Sequence, residues 1–518
     1  MSPLNRRSFL KRTALAGAAL SFPSIIPASA LGKDGTVAPS NRLQLVGIGL
    51  KSQGGGDMRN LMSKKGVQVI AVCDVDKRVL KSSAEALSGS KAPEGATPLA
   101  MAYAGHQFGG FSPELGDGRA LLLGEILDTN GNRFDLHLKG SGRTPFSRGG
   151  DGKALLGPVL REYLMGEAMH ALGIPTTRAL AATTTGENVH REGPKKGAVL
   201  ARIAASHLRV GTFQFFAARN EWDKVRQLAN YAIARHDPDL IDTDDKYLTF
   251  LTRVADRQAA LVANWLHVGF VHGVMNTDNV TISGETIDYG PCAFIDAYDP
   301  KAVFSSIDRN GRYAFGNQPV IAQWNLARLA ETLLPLIDPK DDDNASALAT
   351  DVIEGFIGRY TQVWLQGMRA KIGLSSIEEA DADLFNDLFT AMEGQDVDYT
   401  RFFRALAQAA LANPAPVADM FKDKIAITPW LCQWAERLMR DPAEPTDRAA
   451  AMDKINPIYI PRNHLVEEAL AAAENDDMGP FNALLDVLSA PFTKRDGLDK
   501  YALPAPSDFG PFKTFCGT

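Results

Sequence analysis

Residues 272–296 read HGVMNTDNVTISGETIDYGPCAFID, and the fold turns on how this stretch is taken. A loop opens at His272 and closes on Asn279, a β-compatible VTISGETI follows over 280–287, and the triplet Asp288-Tyr289-Gly290 comes next. The pattern predicts a short hairpin that brings an amide and a carboxylate, nine residues apart, to one place. Such hard oxygen donors suit Mg²⁺ carrying a phosphate. The third residue of the loop is Val274, where an H-R-D-x-x-x-x-N loop keeps its catalytic Asp. Asp278 is the only carboxylate in the loop that can replace that base. A bare loop Asp is as often a turn-former.

Upstream, RALLLGEIL and RFDLHLKG flank DTNGN, whose Asn-Gly is a strong hairpin signal. Gly116, Gly118 and Arg119 stand just before the first strand and Lys139 ends the second. LLGPVLREYLMGEAMHALG then repeats apolar residues at helical spacing and closes on Gly173 before Pro175. Glu162 in that helix is the natural partner of Lys139, although a Lys and a Glu 23 residues apart prove nothing alone. Glycine turn, hairpin lysine, helix glutamate, Asn loop and Asp-aromatic-Gly follow the order of a protein kinase. Later segments such as QWNLARLAETLLPLI and VEEALAAAE are helix-periodic. The expected class is therefore α+β, a protein-kinase-like two-lobe fold with a largely helical C-terminal lobe. The small lobe is expected over 99–220, and the large lobe with a C-terminal extension over 221–518.

The chain has 518 residues, 45% of them hydrophobic, which is ample for buried cores. Its net charge of -6 and its lack of a Lys/Arg cluster argue against nucleic acid as a partner. Cys73, Cys292, Cys432 and Cys516 are too scattered for a disulfide framework or a zinc site; one bridge involving Cys516 stays open.

The N-terminus has a different character. Arg6-Arg7 precede Phe9-Leu10-Lys11, an apolar run and Ala28-Ser29-Ala30, which resembles a twin-arginine export signal over 1–30. Pro23 and Pro27 interrupt the run, so no stable membrane association is expected. Residues 41–86 then place Gly47 and Gly49 after an apolar strand and Asp74 after a second one, with Ser52 where a third glycine belongs. This resembles the first Rossmann β-α-β unit of Gfo/Idh/MocA-type oxidoreductases, left incomplete. Residues 87–98 read as a junction.

From residue 95 onward, AYAGHQFGGFSPELGDGRA, LKGSGRTPFSRGGDGKALLGPVLREYLMGEAMHALGIPTTRAL, ARIAASHLRVGTFQFFA, HGVMNTDN, IDYGP and NPIYIPRNHLVEEAL resemble the selenoprotein O family. That resemblance implies a kinase-fold protein transferring AMP from ATP, or UMP from UTP, to Ser, Thr or Tyr hydroxyls of proteins, with Mg²⁺ or Mn²⁺. It implies nucleotide contacts from Gly116, Gly118, Arg119, Lys139, Asp151, Gly152, Arg202, Arg209 and Asp288. It makes Asp278 the proton acceptor and Asn279 and Asp288 the metal ligands; the kinase-like pair of Lys139 and Glu162 completes the expected catalytic set. The family's usual N-terminal segment is replaced here, and only Cys516 stands where members commonly keep a C-terminal redox pair. The arginines could instead pair with surface carboxylates, but their mostly apolar surroundings disfavour that. Two rival functions follow: a nucleotide-binding pseudokinase without turnover, and an exported NAD-dependent oxidoreductase. The signal points to export, whereas ATP use and the family resemblance point to the cytoplasm.

Overall fold

The computed structural model describes residues 43–48, 67–73 and 99–514, divided between two compact units, Met1–Glu94 and Gly95–Thr518. In the first unit β1 (Leu43–Ile48) and β2 (Val67–Cys73) pair in parallel, with an irregularity between Leu45 and Val46. The export-signal residues, Gly49, Ser52, Asp74, the junction and Cys516 lie outside the described residues.

The second unit is α+β, as the order of motifs predicts. A small hairpin, β3 (Gly105–Gln107) and β4 (Gly110–Ser112), precedes an antiparallel sheet. That sheet runs β5 (Ala120–Leu127), β6 (Arg133–Lys139), β9 (Pro194–Ala204), β7 (Ala154–Leu155), with β8 (Arg178–His190) also paired to β9. The Asn130-Gly131 turn makes the β5–β6 connection, as its chemistry demands. Between β6 and β9 the register sets His137 opposite Arg202 and Lys139 opposite Leu200. Because side chains alternate along a strand, His137, Lys139 and Arg202 share one face. Leu136 and Leu138 turn to the other face and are buried.

Helix α1 (Leu156–Ala171) buries Leu156, Val159, Leu160, Leu164, Met165 and Met169, the i, i+3, i+4 stripe visible in the sequence. Leu156, Val159, Leu160 and Leu164 pack with Ala198 and Leu200 of β9 and with Val466 and Leu470 of the helix Asn463–Glu474. Glu162 is thereby held facing the sheet.

After α2 (Val210–Ala217) and α3 (Trp222–His236), α4 (Lys246–Val268) runs through the centre of a helical core. Phe250, Leu251, Val254 and Val262 on α4 are fully buried, and each contributes roughly 1.5–3 kcal/mol of burial. Helix α5 (Gln318–Ile337) packs beside α4. These two helices support the loop that opened the sequence analysis.

One expectation fails here. Residues 280–287 do not form a hairpin: only Thr281 and Thr286 make isolated bridges, to Arg209 and Thr176. The strand pairing falls outside the segment, between β10 (Phe270–Val271) and β11 (Ala293–Phe294). Side chains compete for the backbone. Thr281 Oγ1 donates to the Glu285 carbonyl at 2.7 Å and accepts from its amide at 2.9 Å, while Ser283 Oγ donates to the Glu285 carboxylate at 2.8 Å. These local bonds replace a ladder. Among the described residues no helix is long and apolar enough to cross a membrane.

Candidate active site

The loop 272–279 is held from every side. The His272 amide donates to Gln318 Oε1 at 3.0 Å, and its Nε2 lies 2.9 Å from the Ile287 carbonyl, so the ring carries its proton there. Burial keeps His272 below the usual imidazole range, hence neutral. Asn276 Oδ1 accepts from the Phe108 amide at 3.0 Å and from Tyr313 Oη at 2.6 Å, and Thr277 Oγ1 accepts from the His106 amide at 2.8 Å. Asn279 Nδ2 donates to the Val274 carbonyl at 3.0 Å. A loop so fully bonded sets its side chains without freedom to drift.

Asp278 is held by less. Its Oδ1 accepts from Gln107 Nε2 at 2.6 Å, and Arg209 Nη1 donates to its backbone carbonyl at 3.0 Å. Burial raises the carboxyl to about 6, against the lowering pull of Arg209 and Gln107.

Asp288 is the opposite case. Its φ of 60° is left-handed, a conformation that costs a non-glycine residue roughly 1–2 kcal/mol. The carboxylate is clamped by Lys139 Nζ at 2.6 Å, Arg202 Nη1 at 2.8 Å and Arg209 Nη1 at 3.4 Å. Burial alone would raise it, but these three cations outweigh burial and hold it well below the usual carboxylate range. Behind them Glu162 receives Lys139 at 2.5 Å and Arg202 at 2.9 Å, and both keep it ionised despite its burial.

The cleft over this cluster has a volume of about 380 Å³ and is lined by Gly116, Gly118, Arg119, Lys139, Asp151, Gly152, Arg202, Arg209, Asp278, Asn279 and Asp288. Every residue expected at the site lines it except Glu162, which borders the adjoining cavity behind Lys139. Two glycines have steric causes. Gly116 has φ 65° and a Cβ there would lie 2.2 Å from the Phe146 ring; Gly152 has φ 69° and a Cβ would lie 2.0 Å from the Gly142 carbonyl. Asp151 faces Arg191 at 2.9 Å, and that pairing holds its carboxyl at about 2.

The sequence reading passed over Gln107, Asp117 and His137. Buried Asp117 accepts from His137 Nε2 at 3.0 Å and from the Met101 amide at 3.0 Å, and stands 3.8 Å from Arg209. His137 Nδ1 accepts from Arg202 Nη2 at 3.2 Å. His137, two residues before Lys139, was the available signal, since strand alternation puts both on one face. Asp117, inside Gly116-Asp117-Gly118, reads as turn chemistry and gives none.

Two buried arginines and the half-buried Lys139 stand under glycine-shaped backbone, with a separately held carboxylate beside them, an arrangement able to receive a polyanion. Residues 59–489 match the family described as protein adenylyltransferase SelO. The match begins inside the segment read as a dinucleotide-binding fragment. The chain is 58% identical over 448 residues to the protein nucleotidyltransferase YdiU of Rhizobium rhizogenes, covering 86% of this chain and 89% of that protein. It is 60% identical over 440 residues to the protein of the same name from Cereibacter sphaeroides, covering 85% and 90%. The corresponding figures for Chromobacterium violaceum are 59% over 437 residues, 84% and 91%. The chain belongs to the protein adenylyltransferase SelO family.

Proposed function

We propose that this chain transfers AMP from ATP to Ser, Thr or Tyr hydroxyls of other proteins, on a kinase-like arrangement of the β5–β9 sheet over the helices that follow. One observation carries the reading. Asp278 and Asp288, ten residues apart, are held in opposite ways: Asp278 accepts from the neutral Gln107 amide at 2.6 Å, whereas Asp288 is clamped by Lys139, Arg202 and Arg209 at 2.6, 2.8 and 3.4 Å, which leaves the first able to take a proton and the second an anion. Opposed environments for neighbouring carboxyls are how acid-base roles are divided.

In the reaction the acceptor oxygen attacks the α-phosphorus and the bond from that phosphorus to the α,β-bridging oxygen breaks. Pyrophosphate leaves with the bonding pair, and the hydroxyl proton passes to Asp278. Lys139, Arg202 and Arg209 supply positive charge where the leaving group gains negative charge. Glu162 keeps Lys139 and Arg202 in place. Gly116, Gly118 and Gly152 let backbone approach the nucleotide, with Arg119 and Asp151 along the same wall.

A divalent cation would be held by Asn279, whose Nδ2 bonds the Val274 carbonyl and so leaves its oxygen to coordinate, and by Asp288, whose Oδ2 meets only Arg209 among the described residues, at 3.4 Å. Both are hard oxygen donors, and Mg²⁺ or Mn²⁺ commonly takes one or two protein ligands and completes its shell with phosphate and water. Among the described residues no cluster of three or more His, Cys, Asp or Glu side chains suits a metal, so the nucleotide itself would complete the site. When bound, the ion supplies Lewis-acid neutralisation of phosphate charge.

The test is incubation with a protein acceptor and ATP labelled at the α or the γ phosphate, with α-labelled UTP in parallel. Label entering protein from the α position alone supports the reading. Label from the γ position overturns it, and nucleotide binding without transfer identifies a pseudokinase.

A further inference from the structure

The β3–β4 hairpin links Asp278 to a surface that the transfer chemistry does not use. Gln107 holds Asp278; the next residue, Phe108, is half-buried against Tyr313, ring centroids 5.1 Å apart; beyond it a Cβ added at Gly109 would lie 3.8 Å from the Arg312 guanidinium. Arg312 lies over the Trp324 ring at 4.8 Å and Arg328 over the same ring at 5.2 Å, with His106 edge-on to it at 5.1 Å.

The charge here is only partly matched. Arg328 pairs with Glu331 at 2.7 Å. Among the described residues no carboxylate side chain lies within ion-pairing distance of Arg312; Asp308 instead accepts the backbone amides of Arg312 and Tyr313 at 2.9 and 2.8 Å. The Nε atoms of both arginines are buried without a partner. Burial and these two arginines push His106 below its usual range, which marks a positive local field. The chain as a whole carries -6, so this rim runs against its average. Exposed Phe111 packs on His106 with ring centroids 4.9 Å apart, and exposed Ile307 lines the cleft of Asp278.

A guanidinium stacked on an indole loses little freedom on binding, and its edge keeps the fork that matches a carboxylate. We propose that Arg312, Arg328 and Trp324 form a docking surface for an acidic segment of the acceptor protein, with Asp or Glu residues flanking the hydroxyl that meets Asp278. The inference rests on the transfer reading above, and it adds the class of protein sequence that the site accepts.

The test compares two peptides sharing one central hydroxyl residue, one flanked by Glu and one by Lys. Fluorescence anisotropy follows their binding without nucleotide, and α-labelled ATP follows transfer. The expected result is roughly tenfold tighter binding and higher kcat/KM for the acidic peptide. The preference is lost in Arg312→Gln and reversed in Arg312→Glu/Arg328→Glu, with KM for ATP unchanged. Circular dichroism establishes that each variant is folded, and Arg312→Gln, which keeps an amide over Trp324, guards against misfolding of the reversal variant. Equal binding of both peptides overturns the proposal, as does a preference that survives charge reversal. A rise in KM for ATP alone overturns it too, because the arginines then serve the nucleotide. Arginine-dependent binding of the acidic peptide with no transfer to any acceptor supports the surface and refutes the transfer reading.

Discussion

Asp278 and Asp288 leave the same loop region yet live in opposite surroundings. Asp278 meets one amide donor and the outskirts of one arginine; Asp288 meets three cations. Both are half-buried, so burial pushes both carboxyls up, and the partners decide the outcome. The difference teaches that in this cleft the count and placement of cations, more than depth, divide a proton acceptor from a permanent anion.

The largest expected effect breaks the Asp288 side. Asp288→Ala and Lys139→Ala should each lower transfer by at least about 10³-fold, since the first removes the carboxylate that anchors Lys139, Arg202 and Arg209 and would hold the metal, and the second removes a positive charge at the reacting phosphates. Initial rates with α-labelled ATP check this, alongside circular dichroism for the fold. Near-normal rates in either variant would detach Asp288 from the chemistry.

Next comes the Asp278 side. Asp278→Asn keeps shape but cannot take the hydroxyl proton, so kcat should fall by about 10² to 10⁴ with KM for ATP little changed. A change confined to KM would make Asp278 a positioning residue.

A smaller effect is expected one layer behind. His137→Leu removes the acceptor that orients Arg202 and the donor that steadies Asp117, so KM for ATP should rise about tenfold with a lesser change in kcat. An unchanged KM would show that Glu162 and Asp288 hold Arg202 unaided.

The smallest effect is on stability. Burial raises Asp278 above its unfolded value, so the folded chain binds that proton more tightly and loses stability as pH climbs from the ordinary carboxylate range to about 6. Above that the penalty is complete. Asp278→Asn removes it, and its melting temperature at pH 8 should exceed that of the unsubstituted chain by about 2 °C, the gap closing toward pH 4. A gap independent of pH would contradict the assignment.

Much of this was legible in the sequence, where local chemistry speaks. The Asn130-Gly131 turn, the α1 stripe and the order from Gly116 to Asp288 are short-range signals. What stayed hidden depends on register and long-range contact. The His137–Arg202 pair exists because β6 and β9 align as they do, and Gln107 reaches Asp278 across 171 residues of chain. The 280–287 segment misled because its residues suit a strand, while Thr281, Ser283 and Glu285 satisfy one another locally.

The contrast between the two aspartates is tested most directly by the pH dependence of kcat/KM for transfer from α-labelled ATP, in the unsubstituted chain and in Asp278→Asn. The expected profile rises with pH through an apparent pKa of about 6 as Asp278 loses its proton, and the residual activity of the variant lacks that limb. The same limb persisting in Asp278→Asn would contradict the account, because another group would then be taking the proton.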